Sequence, residues 1–122
     1  MGEKVKILIA DDDEIITTLL SSFLSQFNFQ VEITKNGSEC LKIVEDNSIR
    51  IIILDYQLED MTAVELLKKL KESYSLDNKK VIISSGNENA ETDFQVNNIS
   101  VDAFLPKPYK PQELLITIQN LL

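Results

Sequence analysis

A chain of 122 residues is long enough to bury one real core and is a single-domain length. With 43% hydrophobic and 26% charged residues it has an ordinary globular make-up, and no apolar run approaches the roughly 20 residues that span a bilayer. A net charge of −8 argues against autonomous binding to nucleic acid, whose phosphates need a cationic footprint, and suits a cation or a basic protein surface as partner.

The opening residues, MGEKVKILIA, run straight into a strand pattern at Val5–Ala10 with no signal-peptide organisation, and Lys6 occupies a place where a myristoylation pattern wants Ser or Thr. Three aspartates follow, then a helical pattern: Ile15, Ile16, Leu19, Leu20, Phe23, Leu24 and Phe27 fall at three-and-four spacing. Asp13 and Glu14 suit the cap and first turn of that helix, where negative charge meets the positive end of the dipole. Phe29–Thr34 alternates Phe29, Val31 and Ile33, as expected of an edge strand with one wetter face.

A short helix is expected around Cys40, Leu41, Ile43 and Val44. Cys40 is the only cysteine, so no internal disulfide can form and a reducing, cytoplasmic setting is expected. Ile51–Leu54 and Val81–Ser84 are nearly continuous in Ile, Val and Leu, the pattern of parallel strands covered on both faces. Between them lies a third helix with Val64, Leu66, Leu67 and Leu70 on one face and a capping box of Thr62 with Glu65. Asn87–Asn98 offers only Ala90, Phe94 and Val96 and predicts a short helix. Ala103–Leu105 is the fifth strand, and Pro111 in the first turn opens a last helix with Leu114, Leu115, Ile118, Leu121 and Leu122.

Strands alternating with helices predict an open parallel sheet with helices on both faces. In such sheets functional groups gather beyond the carboxyl ends of the strands, near the switch point in strand order. Asp11 and Asp12 follow the first strand, Asp55 the third, Ser85 and Gly86 the fourth, and Lys107 the fifth. Three carboxylates and one ammonium leave two net negative charges, which a divalent hard cation neutralises. A few oxygen ligands with room for water suit Mg²⁺ better than zinc or calcium. A carboxylate beside Mg²⁺ can act as a nucleophile toward phosphorus, with Lys107 stabilising the phosphoryl oxygens and Ser85 donating a hydrogen bond to one of them.

On the segments ILIADDDE, IIILDYQLEDMTAVELLKKL, VIISSGN and AFLPKPYKPQELL, present in order and at matching spacing, the chain resembles the receiver domains of two-component response regulators over Lys4 to Leu122. The resemblance implies one receiver domain over residues 1–122 with the flavodoxin-like (βα)5 fold of the chemotaxis regulator, strand order 2-1-3-4-5. It implies Asp55 as phosphoacceptor, Asp12 as a direct Mg²⁺ ligand, Asp11 binding largely through water, and the Gln57 carbonyl as a backbone ligand. Ser85 takes the hydroxyl switch position and Phe104 the aromatic one. Lys107 takes the lysine position, followed by a peptide bond to Pro108 that is usually cis in the family.

By the same resemblance the donor is a phosphohistidine on a sensor histidine kinase or phosphotransfer protein, and the domain catalyses at most its own phosphorylation and dephosphorylation. The working form is a monomer or a phosphorylation-dependent dimer, with no direct binding of nucleic acid or membrane. The chain departs from the family after the acceptor, where the usual Met-Pro-x-Met-Asp-Gly is replaced by LEDMTA. Glu59 removes a rigid proline turn, which puts loop rigidity in question.

Two rivals share parts of this chemistry. An Mg²⁺-dependent phosphohydrolase of the haloacid dehalogenase type also uses an aspartate after an apolar strand, but needs a second acid where this chain has Gln57. A degenerate receiver that serves only as a protein-interaction module is the other. A flavodoxin-like nucleotide site fails, because DDDE stands where a phosphate-cradling loop should be.

Overall fold

Ten elements follow one another in strict alternation in the computed structural model, which describes residues 4–73 and 76–122. They are β1 (Val5–Ala10), α1 (Glu14–Ser25), β2 (Phe29–Thr34), α2 (Gly37–Ile43), β3 (Ile49–Asp55), α3 (Ala63–Glu72), β4 (Lys80–Ser85), α4 (Ala90–Val96), β5 (Ala103–Pro106) and α5 (Pro111–Leu121). All five strands pair in parallel in the order β2-β1-β3-β4-β5. This is the expected flavodoxin-like arrangement, with its switch point between β1 and β3.

The strands sort their side chains by parity. Leu8, Ala10, Ile52, Leu54 and Ile83 pack with Cys40, Val44, Leu66, Leu67, Leu70 and Phe94 of the α2–α4 layer. Ile7, Ile9, Ile51, Ile53 and Ile82 pack with Leu20, Leu24, Leu114, Leu115 and Ile118 of the α1 and α5 layer. Because both faces are covered, the central strands need apolar residues at every position, and that is why they read as unbroken runs. Each fully buried Leu or Ile stabilises the fold by about 1.5–3 kcal/mol, so this double layer dominates the free energy that holds the strand ends in register.

The helix starts follow their caps. Asp13 accepts from Ile15 N–H and Ile16 N–H, Asn36 from Glu39 N–H, and Thr62 from Glu65 N–H. The Asn36 cap starts α2 at Gly37, ahead of the apolar residues that predict it. At the other end, α1 stops at Ser25 although the apolar spacing runs on to Phe27. Asn28, at φ 68°, turns the chain into β2, and Phe27 is left on the surface against Phe23. Asparagine is among the few non-glycine residues that take this left-handed conformation readily. β2 lies at the sheet edge as expected, but its apolar alternation does not mark a dry face: Phe29 is buried while Ile33, on the same face, is exposed.

Cys40 is buried between α2 and the sheet, and desolvation pushes its thiol up to about 12. Since the thiolate is the reactive form, the folded chain is expected to resist iodoacetamide at about pH 8 and to label only on unfolding. Mass spectrometry with and without denaturant checks this; labelling of the native protein as fast as a free thiol would contradict the packing.

Candidate functional site

Sheet register brings the polar strand ends together. Ala10 lies beside Leu54, Asp55 beside Ser84, and Ser85 beside Pro106, so the residues that close β1, β3, β4 and β5 form one row. Asp11 and Asp12 leave β1 just above that row, Asp55 ends β3, Ser85 ends β4, and Lys107 follows β5. The Lys107 N–H donates to the Ser85 carbonyl at 2.8 Å, which fixes where the lysine departs. The peptide bond between Lys107 and Pro108 is cis, as the resemblance implies.

Carboxylate oxygens of Asp11, Asp12 and Asp55 all lie within 4.8 Å of one another. Asp11 is buried, Asp55 half-buried and Asp12 open to solvent. One oxygen of Asp11 accepts from the Asp13 N–H at 3.0 Å, and the other accepts from Lys107 Nζ at 3.1 Å. Lys107 Nζ also stands 3.5 Å from Asp55 Oδ1. The lysine therefore bridges the acids of the first and third strands.

The charge imbalance shows in the acidities. Burial, and after it the neighbouring Asp11, raises the pKa of Asp55 above the usual carboxylate value, against the opposing pull of Lys107. Burial disfavours the Lys107 ammonium, but Asp55 and Asp11 outweigh it and raise its pKa. The two shifts share the close approach of Asp11, Asp55 and Lys107, but burial leads for Asp55 and the neighbouring carboxylates decide for Lys107. Three clustered hard oxygen donors with a net charge of −2 fit a divalent cation of the Mg²⁺ type.

Around this cluster, Ser85 Oγ accepts from the Asn87 N–H at 2.8 Å. Phe104 is partly buried, its ring 5.4 Å from that of Phe94 in an edge arrangement. A cavity of about 150 Å³ lies between them, lined by Ser85, Asn87, Ala90, Phe104 and Pro106 among others. Ser84 is buried in the sheet, as a structural strand residue should be.

Gln57 sits in a tight turn bridged to Thr62. The bonds that close it, Leu58 N–H to Met61 C=O and Ala63 N–H to Tyr56 C=O, flank Gln57 and leave its own carbonyl out. Two residues to which the sequence assigned no functional role also belong here. Tyr56, next to Asp55, donates its hydroxyl to Asp93 of α4 and packs its ring against Phe94. Asp60, at the tip of the turn, accepts from Gly37 N–H, Ser38 N–H and Ser38 O–H of α2. Neither contact has a local signal, since the partners stand far apart in the chain.

A doubly wound parallel sheet with three carboxylates and one bridging lysine at its switch point defines the receiver class of signalling domains. The comparisons agree: the family model for the response regulator receiver domain matches residues 7–119. The chain belongs to that family, a signalling domain of two-component systems and not a typical enzyme.

Among curated relatives, the response regulator SaeR of Staphylococcus epidermidis is 28% identical over 116 residues, covering 95% of this chain and 49% of that protein. The transcriptional regulatory protein CpxR of Escherichia coli is 29% identical over 118 residues, covering 96% of this chain and 49% of its own. The chain thus spans about half the length of the curated relatives it matches. Among solved structures, a CheY-like receiver domain protein of Methanospirillum hungatei is 28% identical with a TM-score of 0.82, covering 96% of this chain and 92% of its own. Chemotaxis response regulator CheY4 of Vibrio cholerae, 24% identical with a TM-score of 0.86 over 98% of this chain and 99% of its own, matches in fold. No helix among the described residues is long and apolar enough to cross a membrane.

Proposed function

We propose that the chain is a phosphoacceptor switch in which Asp55 takes a phosphoryl group from a phosphohistidine on a sensor histidine kinase or phosphotransfer protein. The observation that carries this reading is the Asp11–Asp12–Asp55 cluster bridged by Lys107. A carboxylate oxygen of Asp55 forms the new bond to phosphorus as the N–P bond breaks, and the imidazole nitrogen leaves with the electron pair and takes up a proton. Bound Mg²⁺ would supply the positive charge that lets three carboxylates and a phosphoryl group share one pocket. Asp11, Asp12, Asp55 and the Gln57 carbonyl are the groups that would hold it. Lys107 pairs with Asp55 before transfer and is positioned to meet a phosphoryl oxygen afterwards.

The acyl phosphate replaces a carboxylate by a bulkier, more highly charged group. Ser85, now an acceptor from Asn87 N–H, has a hydrogen free to donate to a phosphoryl oxygen. Its movement toward the pocket enlarges the space beside Phe104, which swings inward and remodels the surface of α4, β5 and α5 that partners read. The cavity beside both residues supports such a rearrangement.

A protein donor is supported by the face that flanks the pocket. Ile15 and Leu19 are 83% and 56% exposed on α1. Leu19 also lines an apolar groove with Ile16, Lys107, Pro108 and Tyr109, so the groove meets the pocket at the lysine.

Acetyl phosphate with Mg²⁺, followed by intact mass, tests the reading. Wild type should gain one phosphoryl adduct that Asp55→Asn lacks and that EDTA prevents. No adduct on wild type, or an equal adduct on the variant, would overturn it.

A further inference from the structure

The loop after the acceptor has Glu59 where the family's proline would stiffen it, yet it forms a closed turn. Two anchors hold that turn. Leu58 is 1% exposed and fastens one side into the α2–α4 layer. Asp60 fastens the tip to the start of α2, with bonds of 2.7 Å from Gly37 N–H, 3.0 Å from Ser38 N–H and 2.7 Å from Ser38 Oγ.

Helix starts leave their first N–H groups without intrahelical partners. In α2 the Asn36 side chain takes the N–H of Glu39, and Asp60 takes those of Gly37 and Ser38 from a turn more than twenty residues away. These bonds hold the Asp60 carboxyl below its usual pKa, so it stays ionised and an acceptor throughout the neutral range. Met61 completes the joint: a Cβ at Gly37 would run into the Met61 side chain, so the absence of one lets the turn lie directly on the helix.

We infer that Asp60 is a positioning residue of the acceptor site, clamping the turn that carries Gln57 to α2 so that the carbonyl and Asp55 are presented in one arrangement to a divalent cation. This rests on the acceptor reading above. It also supplies a physical substitute for the missing proline, with a side chain bolted across the layer replacing a ring that restricts the backbone.

The test uses isothermal titration with Mg²⁺ on wild type, Asp60→Ala and Asp60→Asn, with amide exchange at Leu58 and Ala63 and thermal unfolding in EDTA. Asp60→Ala should weaken Mg²⁺ binding roughly tenfold, as loss of a supporting partner does at other metal sites, while Asp60→Asn stays within about twofold. The asparagine variant separates two causes, since it removes the charge but keeps an oxygen for the Gly37 N–H. Equal weakening in both variants would mean that distant charge, not the clamp, sets affinity, and would overturn the proposal. So would Mg²⁺ binding by Asp60→Ala at wild-type strength.

Phosphorylation of Asp60→Ala should require roughly tenfold more Mg²⁺ than wild type to reach half its maximal rate, tracking the weaker binding. Faster exchange at Leu58 and Ala63, with only a small shift in unfolding midpoint, would show local release of the turn. If wild type itself shows no saturable Mg²⁺ response, the acceptor reading fails. The exchange data then decide the clamp: faster exchange in Asp60→Ala supports it and unchanged exchange overturns it.

Discussion

Asp55→Asn should unfold at a higher temperature than wild type in EDTA at neutral pH. The variant removes one of three carboxylates whose oxygens lie within 4.8 Å of one another. Two unit charges at about 4 Å repel by about 1 kcal/mol in water and about 4 kcal/mol at the effective dielectric of a protein surface. Asp12 is exposed and Lys107 offsets part of the field, so a net gain of about 1–2 kcal/mol is expected, or roughly 4–8 °C for a chain of this size.

The pH dependence follows from the raised pKa of Asp55. A carboxyl that ionises less readily folded than unfolded penalises the fold once it is charged. That penalty is complete above the folded pKa and gone below the ordinary aspartate value of about 3.9. The advantage of the asparagine variant should therefore be full at neutral pH and close as pH falls through the raised Asp55 pKa.

Saturating Mg²⁺ should narrow or reverse the order. A ligand that binds only the folded state stabilises it by about 2.7 kcal/mol at one hundred times its dissociation constant, and the variant has lost a donor. Thermal scans with EDTA and with Mg²⁺, across acid to neutral pH, give every quantity. Equal midpoints in EDTA would mean that the cluster is not under repulsive strain.

The parts of this molecule that could be read from its sequence are those with a short-range physical cause. Ile51–Leu54 and Val81–Ile83 are apolar at every position because both sheet faces are covered, so their burial and their parallel neighbours follow from one pattern. Once those strands are placed, the residues just past their carboxyl ends converge on one edge, which made Asp11, Asp12, Asp55 and Lys107 legible as a cluster, while the resemblance adds their roles and that of Ser85. Asp13 and Thr62 were legible as caps because capping is local.

Other features depend on where a layer stops or on what lies across it. The spacing that includes Phe27 carries no information about the turn at Asn28. The start of α2 is set by Asn36 and by Asp60, the latter reaching it from the loop after Asp55. Tyr56 has the composition of a packing residue, and its ring is one, but its hydroxyl finds Asp93 only after α4 has docked. Glu59 read as a loss of loop rigidity, whereas the neighbouring Asp60 ties the loop down.

Replacing Lys107 should have the opposite effect to replacing Asp55. Lys107→Met keeps an apolar stem to line the groove beside Ile16 and Leu20 while removing the single ammonium that bridges Asp11 and Asp55. Breaking a fully buried pair costs about 3–5 kcal/mol. The Lys107 side chain is 24% exposed and that of Asp55 16%, so solvent reduces the figure, and about 2 kcal/mol is expected in EDTA at neutral pH. Because the folded fold raises the pKa of Lys107, its stabilisation is present below the unfolded value of about 10.4 and is lost as pH rises through the folded one. It fades at the acid end too, once the carboxylates it serves are protonated.

Mg²⁺ should bind this variant at least as tightly as wild type, since a like charge has left the pocket, and should restore most of the lost stability. Transfer to Asp55 should remain slow, on the order of a hundredfold below wild type, because the ammonium proposed to meet the phosphoryl oxygens is gone. Recovered stability with slow transfer would separate the two tasks of Lys107, neutralising the resting cluster and stabilising the charge that develops during transfer. Transfer at the wild-type rate would leave it only the first.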